Sequence, residues 1–155
     1  MLATIVLTGY LLVGLYLAWI DIRTQTLPDR IVLPTTGALA AGLLLAAALD
    51  NTWDAFWRSL QAGAAMFALF FVLRLISPGG LGGGDVKLAA SFGMALGWLG
   101  WIPVIYGTFF AYLLAAVWSV AGLVARKLSR KSQLAFGPFM IAGLFIQVLP
   151  ALLVG

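Results

Sequence analysis

The chain contains a 39-residue apolar stretch, residues 86–124, that reads VKLAASFGMALGWLGWIPVIYGTFFAYLLAAVWSVAGLV. A transmembrane helix needs roughly 20 apolar residues, so this stretch is too long for one crossing and has the length of two. The segment GWLGWIP at residues 97–103 interrupts it with Gly and Pro, which break helices, and with Trp, which favours membrane interfaces. The stretch therefore predicts two membrane-spanning helices joined by a tight turn.

Four further apolar segments of similar length surround this pair, at residues 2–20, 31–49, 56–76 and 134–154. The chain is 63% hydrophobic and 9% charged, whereas soluble domains are about 45–50% apolar and about 25% charged. Lipid is therefore the solvent for most of the chain. We predict an all-α polytopic membrane protein with six transmembrane helices, forming a single domain over residues 1–155.

The basic residues give these helices an orientation. Of the nine Lys and Arg residues, only Arg58 falls on one side of the predicted spans. By the positive-inside rule the other side is cytoplasmic, so both termini are expected in the periplasm. The net charge of +4 is explained by this asymmetry, and we expect no nucleic-acid partner. The eight residues on the cytoplasmic side are Arg23, Arg30, Arg74, Lys87, Arg126, Lys127, Arg130 and Lys131.

The composition also restricts the chemistry. The chain has no Cys and no His, which removes disulfides, Cys-based zinc sites, Cys nucleophiles and Ser-His-Asp triads. All five acidic residues are Asp. Asp50 and Asp54 lie in the predicted outer loop, where we interpret them as solvated, with Asp54 a candidate cap of the third helix. Asp21 and Asp85 are the remaining candidates for acid–base chemistry, together with Asp29.

Asp21 ends the first apolar segment and Asp85 begins the fourth, so the topology places both at the cytoplasmic ends of helices. Acids near a membrane are costly and count as candidates for a functional site. Two adjacent carboxylates share a proton, so one is a base and the other an acid, and such a pair can activate water against a peptide carbonyl. Two structural interpretations stay open: Asp21 pairs with Arg23, and Asp85 is a helix N-cap.

Three segments resemble the motifs of the type IV prepilin peptidase family. DIRTQTLPD at residues 21–29 is similar to the first signature, in which an Asp ends a span before a Leu/Ile-Pro-Asp/Asn turn. GGLGGGDVKL at residues 79–88 resembles the second, the GxGD motif with its following Lys-Leu. AFGPF at residues 135–139 resembles a third element at the start of the last span. The resemblance covers roughly residues 19–143.

This resemblance implies an intramembrane aspartic protease with Asp21 and Asp85 as its catalytic pair. The family cleaves the basic leader of type IV prepilins and prepilin-like pseudopilins after a Gly, at the cytoplasmic face of the bacterial inner membrane. Many members also carry an N-terminal cytoplasmic insert with paired CxxC motifs that methylates the new N-terminus. The chain has no Cys, so we expect the peptidase part alone, with no methyltransferase activity, no metal and no cofactor.

The other motif residues are expected near the substrate. We interpret Asp29 as shaping the turn or capping the second span. Lys87 has two interpretations: its charge stabilises the dyad or a carboxylate of the substrate, or its side chain snorkels to the membrane interface. The glycines before Asp85 predict a flexible backbone that a substrate strand approaches closely, and residues 136–138 predict the start of the sixth span. The motif residues that we expect near the substrate are Pro28, Asp29, Gly82, Gly83, Gly84, Lys87, Gly137 and Pro138.

Span four carries small residues at four-residue spacing, Ala89, Gly93 and Gly97, which predict close contact with a neighbouring helix. Two other functions fit six spans with membrane acids: a proton-coupled transporter, and a non-catalytic assembly factor for pili or secretion. Transporter sites usually lie at the bilayer midplane between repeats, and no repeat is present. For the dyad we place the shared proton on Asp21, at a helix C-terminus, and the base at Asp85, at a helix N-terminus.

Overall fold

A computed structural model of the chain describes residues 1–77, 79–126 and 135–154. Within these ranges the structure is all-helical and has no strands, as predicted. Its helices are α1 (Leu2–Thr24), α2 (Asp29–Asp50), α3 (Trp53–Ile76), α4 (Gly83–Leu99), α5 (Trp101–Val124) and α6 (Gly137–Val154).

The long apolar stretch forms α4 and α5, and the turn between them lies inside the predicted segment 97–103. Gly100 is the only residue between the two helices, and its φ of 144° is a backbone conformation that residues with a side chain rarely adopt. The connection between α4 and α5 is therefore a single residue. The sequence placed this helix break correctly.

By length and composition, four helices in the described part of the chain can cross a membrane: α1, α2, α3 and α5, each of 22–24 residues. α4 has only 17 residues, about 26 Å at 1.5 Å per residue, against a hydrocarbon core of about 30 Å. More than half of its residues are buried, because α2, α3, α5 and α6 all pack against it. α4 is therefore a helix of the protein core, with little surface available to lipid.

The stripe of small residues on α4 faces α3, as close packing requires. A Cβ atom added to Gly93 would lie 2.5 Å from the Ala62 carbonyl oxygen, and one added to Gly97 would lie 2.5 Å from the Ala62 Cβ. The buried Ser59 hydroxyl donates a hydrogen bond to the Met94 carbonyl oxygen at 2.8 Å across the same interface. The prediction of close contact with a neighbouring helix is confirmed.

Arg58, the one basic residue on the predicted outer side, stabilises the end of α4. Its Nε and Nη2 atoms donate hydrogen bonds to the carbonyl oxygens of Gly97 and Trp98, at 2.8 and 2.9 Å. These carbonyls have no partner within the helix, so the guanidinium is a C-terminal cap. At the start of α3 the capping prediction for Asp54 is wrong: the N-cap is Thr52, and Asp54 lies in the first turn without a capping hydrogen bond.

The outer surface of the bundle is apolar. Large side chains on α1, α3 and α5 are more than half exposed within the isolated chain, including Leu12, Trp57 and Ile105. A soluble protein rarely exposes so extensive an apolar surface. Together with the four long apolar helices, this surface is that of a polytopic membrane protein.

Candidate active site

Asp21 and Asp85 line the same cleft, although 64 positions separate them in the sequence. The cleft has a volume of about 580 Å³ and lies where α1 and α3 end and α4 begins. Both aspartates are almost fully buried, with 3% and 4% of their surface exposed. Its other lining residues are Gln25, Thr26, Leu27, Arg74, Leu75, Gly79, Leu81, Gly82, Gly83 and Gly84.

Asp21 lies in the last turn of α1. The helix ends at Gln25, whose backbone is left-handed with φ 52° and whose N–H donates to the Asp21 carbonyl oxygen at 2.8 Å. The Asp21 carboxylate accepts a hydrogen bond through Oδ2 from the backbone N–H of Gly137, at 3.0 Å. Arg23 lies 5.0 Å above the Trp19 ring instead, and no ion pair joins it to Asp21 in the described ranges. The interpretation of Asp21 as the partner of Arg23 is therefore not supported.

Asp85 is the third residue of α4, not its N-cap. Gly82 occupies the N-cap position and donates its backbone N–H to Asp85 Oδ2, at 3.3 Å. The other oxygen, Oδ1, is buried and has no hydrogen-bond partner among the residues described. The Asp85 carboxyl also lies within electrostatic range of Asp21 and faces the Gly137 amide. The two acids and this amide therefore form one cluster.

The glycines before Asp85 allow parts of the chain itself to pack closely. A Cβ atom on Gly84 would lie 2.5 Å from the Leu27 Cβ and 3.1 Å from its carbonyl oxygen. A Cβ atom on Gly83 would overlap the Arg74 guanidinium. These glycines admit Leu27 and Arg74 of the chain itself, and the approach of a substrate strand stays a prediction.

Lys87 and Asp29 form an ion pair with each other, with Nζ and Oδ2 2.6 Å apart. Pro28 is the N-cap of α2 and Asp29 its first residue, so the pair joins the starts of α2 and α4. Both side chains are partly exposed. Lys87 is therefore paired with Asp29 and not with an acid of the cleft in the described structure. Its predicted roles toward a substrate carboxylate or at the membrane interface stay predictions.

The third sequence element also reaches the site. Gly137 begins α6 and Pro138 lies in the first turn of that helix, while the Phe136 ring is buried against Phe70 and Tyr112. The sequence correctly predicted a helix start here. It missed the hydrogen bond from Gly137 to Asp21, because hydropathy carries no information about which helix ends meet.

Arg74 lines the cleft but was not among the predicted site residues, since it entered only the count of basic residues. Its place shortly before the glycine-rich segment is the one signal that could have identified it. The described part of the chain has no cluster of three or more acidic residues that could hold a metal ion.

Comparisons with known proteins match most of the chain. The model of the type IV leader peptidase family matches residues 8–120, which include both aspartates but not Gly137. No solved structure matches.

Three curated relatives are each called prepilin leader peptidase/N-methyltransferase. The relative from Bacillus subtilis is 32% identical over 79% of this chain and 46% of its own length. The one from Escherichia coli is 32% identical over 86% of this chain and 58% of its own length. The one from Burkholderia pseudomallei is 38% identical over 80% of this chain and 39% of its own length. The chain thus spans about half the length of these relatives.

Proposed function

The chain belongs to the type IV leader peptidase family, and we propose that it is an aspartic endopeptidase that cleaves the leader of prepilins or prepilin-like pseudopilins. The single observation that carries the mechanism is the pair of buried acids, Asp21 and Asp85, in one cleft. The names of the relatives supply the substrate class.

Two buried carboxylates in electrostatic range do not both ionise readily, so the pair holds one proton. The carboxylate takes a proton from a water molecule, whose oxygen attacks the carbonyl carbon of the scissile peptide bond. The carboxylic acid protonates the carbonyl oxygen at the same step. Collapse of the tetrahedral intermediate breaks the C–N bond, and the first carboxyl gives its proton to the leaving nitrogen. The second carboxylate recovers a proton from a hydroxyl of the intermediate, which becomes the carbonyl of the new acid.

The cleft lies at the end of the bundle where the basic side chains of the described residues gather, including Arg23, Arg30 and Arg74. By the positive-inside rule this end faces the cytoplasm, so we place cleavage at the cytoplasmic face of the bacterial inner membrane. The start of α1 and the end of α6 lie at the other end, so we propose that both termini are periplasmic. Lys127, Arg130 and Lys131 also carry this prediction and lie outside the described residues.

We propose six crossings, with α4 and α6 completing the four long spans. Because α4 is surrounded by other helices, its 17 residues need not match the full thickness of the bilayer. For the residues of this chain we propose peptidase activity alone, since they include no Cys for the paired CxxC motifs that accompany methylation in the family.

The first prediction tests the catalytic pair. Asp21→Asn and Asp85→Asn keep the shape of each side chain but cannot exchange a proton, so each is expected to reduce leader cleavage at least about a hundredfold. Co-expression with candidate prepilins, followed by mobility shift and N-terminal sequencing, measures the cleavage. Asp50→Asn is the matched control, because Asp50 is half exposed and lies 4.0 Å from the N-terminal amine, at the other end of α2.

Cleavage at the wild-type rate by either Asn variant in the cleft would contradict the dyad. The purified protein in detergent separates this function from the alternatives. A peptidase cleaves there without any ion gradient, whereas a transporter or an assembly factor leaves the prepilin intact.

A further inference from the structure

The Asp21 carboxylate is bound by the amino end of α6. The Gly137 N–H, the first of that helix, donates to Asp21 Oδ2 at 3.0 Å in a buried setting. A Cβ atom on residue 137 would lie 2.7 Å from the same oxygen. A side chain at residue 137 would therefore displace the Asp21 carboxylate from its observed position beside the amide.

Asp85 is bound more weakly. Its hydrogen bond from the Gly82 N–H is 3.3 Å long. The Gly137 amide also faces Asp85 but makes its 3.0 Å bond to Asp21, and the Asp85 Oδ1 atom is buried without a partner among the described residues. A buried carboxylate oxygen without a donor is costly when charged, whereas a protonated carboxyl is neutral and is itself a donor. The environment of Asp85 thus suits the acid form.

Among the residues that the structure describes, no side-chain cation reverses this asymmetry. Lys87 is paired with Asp29 at 2.6 Å, and the Arg74 guanidinium lies against Gly83 without an ion pair to either acid of the cleft. Asp29 is the other acid near the start of α4, and its partner is Lys87. The hydrogen bonds that the described structure shows to the two carboxyls come from the backbone amides of Gly137 and Gly82, and their lengths differ.

We propose that the Gly137 amide is the positioning group of the dyad: it holds Asp21 as the carboxylate and leaves the shared proton on Asp85. This inference rests on the proposed peptidase function. It reverses the polarity expected from the sequence, which followed from the dipoles of the two helices that contain the aspartates, from Lys87 near Asp85 and from the apolar run before Asp21. The dipole of α1 disfavours a charge on Asp21, but a direct hydrogen bond to a charged group outweighs a helix dipole, and the amino end of α6 adds its own favourable dipole.

The assignment defines the protonation state in which each acid begins the reaction. Asp21 takes a proton from water as the hydroxide adds to the peptide carbonyl carbon, and Asp85 gives its proton to the carbonyl oxygen. Asp21 then gives its proton to the nitrogen as the C–N bond breaks, and Asp85 takes a proton from the hydroxyl that becomes the carbonyl of the new acid. One water is consumed, and both carboxyls return to their starting states.

Infrared spectroscopy of the resting protein locates the proton. The chain contains no Glu, so in protein made by cell-free synthesis with ¹³C-labelled aspartate, Asp85→Glu leaves residue 85 as the only unlabelled side-chain carboxyl. Both sites keep an acid in this variant. We expect the protonated-carboxyl band at the unlabelled frequency. A protonated band at the labelled frequency in Asp85→Glu, and at the unlabelled frequency in Asp21→Glu, would overturn the proposal.

Gly137→Ala tests the amide itself. The added methyl displaces the Asp21 carboxylate, so the protonated band shifts, and kcat falls roughly ten- to a hundredfold while KM changes by less than about threefold. Gly143→Ala is the matched control on the same helix, since its methyl would overlap the Gly107 carbonyl oxygen away from the dyad. That control is expected to lower stability and leave the carboxyl bands unchanged.

A folded Gly137→Ala protein with wild-type kcat and an unchanged band would refute the role of the amide. If Gly137→Ala does not fold, the Glu variants still locate the proton, because their spectra are recorded without substrate. The same spectra distinguish the position of the shared proton from the proposed peptidase function, because a protein that fails to cleave prepilins can still show the proton on Asp85.

Discussion

At the scale of single residues, Gly84 marks where the segment after α1 packs onto the start of α4. Leu27 is buried there, and a Cβ atom on Gly84 would approach the Leu27 side chain and carbonyl to 2.5 and 3.1 Å. The contact fixes the spacing between the two segments that carry Asp21 and Asp85. A glycine at position 84, in the first turn of α4, is therefore required for this packing.

Gly84→Ala is expected to displace Leu27 and lower the free energy of unfolding by about 1–3 kcal/mol, the usual range for overpacking. Cleavage should fall with it, because the cleft wall moves. Gly37→Ala is the control, since a Cβ atom there meets nothing within 4 Å. Thermal unfolding in detergent and prepilin cleavage give the two measurements. Equal stability and activity in the two variants would show that Leu27 accommodates the methyl.

At the scale of helices, the Asp29–Lys87 ion pair joins the starts of α2 and α4 close to the cleft. The pair is exposed enough for solvent to screen it, so its contribution to stability is about 0.2–1 kcal/mol. We expect its main effect to be positional, because α4 carries Asp85 only two residues before Lys87.

Charge reversal tests this element. Asp29→Lys and Lys87→Asp each place like charges opposite one another, and each should lower cleavage several-fold with little loss of stability. The double variant Asp29→Lys/Lys87→Asp restores opposite charges and should recover most of the activity. A double variant no more active than the weaker single variant would indicate that one of these residues acts on the substrate directly. The single-variant defects should diminish in high salt.

At the scale of the whole molecule, the charge distribution predicts the orientation in the membrane. The described Lys and Arg residues lie at the cleft end of the bundle with the exception of Arg58, whose guanidinium caps α4 at the other end. The outer basic residue therefore has a structural partner, which explains why it departs from the positive-inside pattern.

A reporter active only in the cytoplasm should give signal when fused after Arg126, and none when fused after Asn51 or after Gly155. The reason is the eight-to-one division of basic residues. Expression of each fusion is checked by immunoblot, so that a missing signal is not a missing protein. The opposite pattern would place Asp21 and Asp85 in the periplasm and contradict cleavage at the cytoplasmic face.

The sequence by itself determined the helices, the break near Gly100 and the placement of Asp21 and Asp85 at one end of the bundle. These features depend on residues that are close together in the sequence: the length of each apolar segment, the helix-breaking residues between segments and the basic residues in the loops. The small-residue stripe on α4 likewise predicted a close neighbour, which proved to be α3.

Only the tertiary structure decided which groups meet at the cleft. The bond from Gly137 to Asp21 spans 116 positions and the Lys87–Asp29 pair spans 58, and both depend on how the helices pack. The dipole of α1, the helix that contains Asp21, indicated that Asp21 is protonated. The Gly137 amide of α6, which is distant in the sequence, supports a proton on Asp85 instead. Local patterns fix where a carboxylate lies along its helix, but its hydrogen-bond donors come from whichever backbone the packing brings beside it.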